Sequence, residues 1–169
     1  MTTHPTTPTP APTARSDAAL PAARGRTLHL VDIENLVLGR PTPANVQRAW
    51  AAYQRIVGVS AGDQVRIACA DAAAAAVAFS ISTGRQLLLA GHGPNAADLA
   101  LIESVDIDYT ARRWGHVVIA SADHIFAPLA GALTRAGCTV SAAHLTPCAA
   151  ALRLATHTQH QLRYCLTLH

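Results

Sequence analysis

Five short apolar runs, each followed by a stretch with helix signals, constrain this chain more than any other feature. The runs occupy residues 28–31, 64–70, 86–90, 116–120 and 139–145. Between them, Thr42 and Pro43 supply a cap and a first helical position for a helix running to about residue 57. Asp71 is placed to cap an alanine-rich helix reaching about residue 82, and Asn95 opens a helix carrying Leu99, Leu101 and Ile102. A further helix covers about 124–136 and stops at Gly137; a short helix follows Pro147, and 162–168 suits a last edge strand. The fourth run, His-Val-Val-Ile-Ala, has no polar face, as a strand covered on both sides requires. Strands that alternate with helices pair in parallel, because each helix returns the chain to the same edge. The expected fold is therefore a three-layer, Rossmann-like α/β domain, with a mostly parallel sheet and helices on both faces.

Composition narrows this further. At 169 residues there is room for one domain with a true core, half of it apolar but only 4% aromatic, so Ala, Val and Leu must fill it. Residues 1–25 are rich in Pro, Thr and Ala and are expected to form a disordered tail ahead of a domain at 26–169. All 13 basic residues are arginine, and several of them lie in or beside the tail. From Thr27 onward arginines and acids nearly balance, which excludes a broad basic face, so any contact with a nucleic acid must use local arginines. Arg112 and Arg113 precede the fourth strand, at the end of the sheet away from a ligand site. Cys69, Cys138, Cys148 and Cys165 have no metal-type spacing and read as reduced thiols. No run is long enough for a membrane helix and no signal pattern opens the chain, so a cytoplasmic location without membrane contact is expected.

Ligands of such sheets bind beyond the carboxyl ends of the strands. Asp32 closes the first strand, with no helix expected within its reach; Asp123 follows the fourth; Asp98 lies one turn into the helix after the third. Taken singly, Asp123 reads as a helix cap and Asp98 as an acid at the positive end of its own helix. Taken together, three carboxylates in one crevice repel one another unless a cation joins them, and hard oxygen ligands of this kind suit Mg2+ or Mn2+. Such an ion would activate a water and polarise a phosphate. Glu34 would assist as a base from outside the ligand set. Asn95, Ser121 and His124 stand where a substrate would lie.

These residues also carry a resemblance. The run from His29 to Asn35 (HLVDIEN) resembles the first motif of NYN domains, members of the PIN-like nuclease superfamily. Gly93-Pro94-Asn95-Ala96-Ala97-Asp98-Leu99-Ala100-Leu101 is similar to the family's central motif. Val118 to Asp123, followed by Phe126 to Leu129, resembles its third. The likeness covers roughly 27–145 with the motifs in order. It implies a PIN-like sheet and a metal-dependent endoribonuclease that leaves a 5′-phosphate and a 3′-hydroxyl. Asp32, Asp98 and Asp123 would be metal ligands, and Asn35 would orient a carboxylate or phosphate. Two positions depart from the motif. Ala122 stands where the family has glycine, and Ile125 where many members have a second acid.

RNA is the expected partner, with self-association also admissible. The alternative is a catalytically degenerate NYN domain that binds RNA or protein, favoured by Ile125 and by the near-neutral charge. Gly91-His92-Gly93-Pro94-Asn95-Ala96 fits a dinucleotide fingerprint, but it follows the third strand and lacks an acid about 20 residues on, so no nucleotide cofactor is expected. Nine histidines supply no zinc set, His157 and His160 with Cys165 included, and Ser121 is in no nucleophile elbow.

Overall fold

The structure, a computed structural model, describes residues 25–81, 85–91 and 93–166. Of the expected tail only Gly25 falls among them. Six strands, β1 (Thr27–Asp32), β2 (Gln64–Ala70), β3 (Gln86–Ala90), β4 (His116–Ala120), β5 (Thr139–His144) and β6 (Thr158–Gln161), form one sheet in the order β3-β2-β1-β4-β5-β6. Every neighbouring pair is parallel. The chain builds outward from β1 through β2 to β3, then crosses back to place β4 on the other side of β1. That reversal opens a crevice at the carboxyl ends of β1 and β4.

Alternation along the strands divides the core in two. Val31, Ile67, Cys69 and Val118 face α2 (Pro43–Ile56) and α3 (Ala74–Ser80), where they pack with Trp50, Tyr53 and Val77. Leu28, Leu30, Val117, Ile119 and Val140 face the opposite side. There α4 (Ala96–Glu103), α6 (Ala127–Arg135) and α7 (Ala150–Ala155) contribute Leu101, Leu133 and Leu152, and Phe126 comes from the turn before α6. Each of these side chains contributes about 1.5–3 kcal/mol by leaving water. β4 is buried at Val117, Val118, Ile119 and Ala120, which is why it has no polar face. Local chemistry sets several ends. Thr42 Oγ1 accepts from Asn45 N at the start of α2, and Gly137 takes φ +95° after α6, letting Cys138 N reach Leu133 O at 3.0 Å.

Five local expectations differ from what is found. A short helix, α1 (Ile33–Val37), begins directly after β1, and Asp32 caps it. α5 (Ile107–Arg113) occupies a segment without a helix assignment; Asp106 Oδ1 accepts from Tyr109 N at 2.8 Å and starts it. Asp71 opens a 3₁₀ turn (Asp71–Ala73) that has no side-chain cap. α7 starts at Ala150, three residues after Pro147. The sixth strand pairs parallel to β5 at 158–161, whereas 162–166 has no regular structure. Leu162 is buried there and Tyr164 Oη donates to Leu36 O at 2.5 Å, so burial rather than strand pairing explains that apolar pattern.

Candidate functional site

The crevice at the strand ends has a volume of about 410 Å³, within the range of small-ligand sites. Asp32, Glu34 and Asn35 enter it from the β1–α1 junction, Asp71 from the end of β2, Asn95 and Asp98 from the start of α4, and Asp123 from beyond β4. Asn95 has a left-handed backbone (φ +60°) after Gly93 at φ +135°, and this bend turns the first turn of α4 inward. Asn95 sits at the cap position but makes no side-chain cap bond.

Each acid has a distinct set of partners. Asp32 is 5% exposed; its Oδ1 accepts from Asn35 N at 3.1 Å and its Oδ2 from Ser121 Oγ at 3.3 Å. Glu34 Oε1 accepts from Ala70 N at 2.9 Å, joining α1 to the end of β2. Asn35 Oδ1 accepts from Ala122 N at 3.0 Å, which fixes the loop beyond β4. Ala122 makes this contact without a positive φ, so its Cβ imposes no backbone strain where the motif has glycine. Asp123 Oδ1 accepts from Ile125 N at 3.0 Å and lies 2.9 Å from His124 Nδ1. Asp98 is 8% exposed, and its Oδ1 has no hydrogen-bond partner among the described residues.

Asp32 and Asp98 line the same crevice, close enough for the Asp98 charge to act on Asp32. Burial and the Asp98 charge push the Asp32 carboxyl up to about 7, against the Asn35 N–H, which favours the ionised form. Burial also raises Asp98, with Asp123 and Glu34 adding repulsion. Two like charges in a dry place do not both ionise readily, so this pair holds its protons to higher pH than free carboxyls do.

This geometry corrects the Mg2+ or Mn2+ expectation. Among the described residues no group of three or more His, Cys, Asp or Glu side chains is disposed to hold a metal ion. The physical reason lies in the bonds just described. Both Asp32 oxygens already accept hydrogen bonds, Asp123 is turned onto its own 3₁₀ turn and His124, and Glu34 is tied to β2. The motif aspartates share a crevice but stand as two buried, mutually repelling acids and a cap rather than a ligand set.

The remaining predicted residues divide by depth. Asp32, Glu34, Asn35, Asn95, Asp98 and Asp123 line the crevice. Ser121 lies behind it, fully buried, donating to Asp32 and accepting from Asp123 N at 3.2 Å. His124 projects outward with its side chain 80% exposed. Asp71 also lines the crevice, although the sequence suggested only a helix cap. It follows a strand of the parallel sheet just as Asp32 and Asp123 do, so the strand-end rule was sufficient to find it.

No protein-family model matches the chain, and no curated protein matches it. Among the described residues no helix is long and apolar enough to cross a membrane.

Proposed function

We propose that this domain is a binding module of the NYN type, the degenerate form of a PIN-like nuclease, and that its crevice receives a cationic side chain from a protein partner. One observation carries the proposal. Asp98, more than nine-tenths buried, keeps an unpartnered Oδ1 in a crevice walled by Asp32, Glu34, Asp71 and Asp123, with no basic lining residue among those described. A guanidinium or ammonium group supplies both missing things, a hydrogen-bond donor for that oxygen and a positive charge among the carboxylates. An RNA phosphate supplies neither and is repelled. The resemblance to NYN motifs supports common ancestry, and the crevice chemistry supports a change of ligand. Free Cys69, Cys138, Cys148 and Cys165 support placing the module in the cytoplasm.

The test titrates the full chain with a fluorescent arginine-containing peptide, its glutamine analogue, and single-stranded and hairpin RNA. The arginine peptide is expected to bind and the glutamine analogue not, with Asp98→Asn weakening binding about 10-fold or more. Arginine-peptide binding unchanged in Asp98→Asn and Asp123→Asn refutes the crevice as its site. RNA cleavage lost in Asp32→Asn and Asp123→Asn overturns the proposal in favour of a ribonuclease.

A further inference from the structure

A second concavity, of about 730 Å³, adjoins the crevice, and Ala72 lines both. Its walls are largely apolar, with Leu38, Pro41, Ala75, Ala76 and Phe79 among them. Phe79 is 87% exposed and Leu38 55% exposed, far more than apolar side chains of their size need to be. Leu38 also has a left-handed backbone (φ +55°, ψ +49°), which costs a non-glycine residue about 1 kcal/mol. Strain of that kind persists where surrounding bonds impose it, here Leu38 N to Asn35 O and Gly39 N to Glu34 O.

The same two elements build the crevice and the groove. α1 carries Glu34 and Asn35 at its crevice end and delivers Leu38 to the groove at the other. The segment from Asp71 through α3 begins with Asp71 in the crevice and ends with Phe79 in the groove. At the helical rise of ~1.5 Å per residue, the two tracks run about 6–12 Å. An extended chain covers that span in about two to four residues.

We infer that one partner segment occupies both: it places a basic side chain among the crevice carboxylates and, about two to four residues along, a large apolar side chain against Leu38 and Phe79. This rests on the crevice proposal above and adds the partner's sequence pattern. Charge complementarity fixes the basic end, and the shared wall at Ala72 makes the groove its continuation. An aromatic or branched apolar residue seated on Phe79 would be the anchor that gives such an interface its affinity.

The experiment selects a random-peptide display library on the full chain and measures the winners by fluorescence anisotropy against three variants. Phe79→Ser changes an exposed side chain, and Leu38→Gly places at a left-handed position the residue that adopts it freely, so both are expected to fold, as thermal melts will verify. The expected winners pair Arg or Lys with an aromatic or large aliphatic residue at the stated spacing. Phe79→Ser and Leu38→Gly each weaken them about 10-fold, while Asp98→Asn removes the requirement for the basic residue. Winners that keep the basic residue but bind both groove variants as tightly as the parent overturn the groove and leave the crevice proposal standing. Winners without a basic residue overturn the crevice proposal itself. A concentration-dependent dimer that Phe79→Ser dissociates assigns the groove to a second copy of this chain and overturns the partner-segment inference.

Discussion

Asp32 ends β1, caps α1 through Asn35 N, takes a hydrogen bond from Ser121 Oγ and lies buried beside Asp98. Burial and the Asp98 charge oppose ionisation, and the opposition has a sign. The carboxyl titrates at its ordinary 3.8 in the unfolded chain and at about 7 in the fold, so between those values the unfolded chain loses its proton first. Its contribution to stability is complete at low pH, falls as pH rises through that window, and is lost above it. Asn at this position still accepts from Asn35 N and offers Asp98 a donor. Asp32→Asn is therefore expected to stabilise the domain at pH 8 by an amount on the order of 1–3 kcal/mol, shrinking toward zero near pH 4, as denaturant titrations at the two pH values will show. A loss of stability at pH 8 would mean that the carboxylate is a net stabilising group. The acid itself was legible in the sequence, because an Asp closing an apolar strand stands out. That Asp98 and Asp123 share its crevice was legible too, from the strand-end rule; the hydrogen bonds each acid makes were not, since their donors lie in segments that only folding brings together.

α2 is tied to the sheet through a buried side-chain bond. Trp50 and Tyr53 stack at 5.4 Å between ring centroids, and Tyr53 Oη meets His29 Nδ1 on β1 at 2.7 Å. Removing that hydroxyl leaves a buried ring nitrogen unpaired, so Tyr53→Phe is expected to cost about 1–3 kcal/mol, measured by urea unfolding. His29 itself sits below its ordinary value of 6.5, chiefly through burial, with His116 and Arg85 adding to the effect and Asp63 opposing it. Below pH 6.5 the unfolded chain takes up a proton that the folded one resists, so stability falls as pH drops through that region. In the parent protein the rising Asp32 contribution partly masks this loss; in Asp32→Asn it should emerge as a steeper acid-side decline. At this scale the longer elements were legible from cap and periodicity. Thr42 and Pro43 mark α2, and an unbroken apolar run marks β4. α1 was not legible, because five residues make too few turns to show a helical period, and its apolar residues merge with those of β1.

Across the whole molecule, β1 and β4 lie at the centre of six parallel strands, while β3 and β6 form the edges. Leu89 on β3 is 57% exposed, whereas β4 is almost wholly buried. Hydrogen exchange is expected to reflect that gradient: amides of β1 and β4 open only with global unfolding, and those of β3 and β6 exchange earlier. Uniform protection across the sheet would contradict it. The chain's local pattern determined the alternation of strands and helices, the burial of both sheet faces and the presence of acids at strand ends, because periodicity and capping act within a few residues. Tertiary structure alone decided the rest. The crossover that sets β4 beside β1 brings the β4–α6 loop and α4 to Asp32. Hydrogen bonds from Asn35 N, Ser121 Oγ, Ile125 N and Ala70 N then set the directions of Asp32, Asp123 and Glu34. Whether strand-end carboxylates converge as ligands or turn to caps and buried neighbours depends on which donors packing brings to each oxygen, and local sequence does not set that.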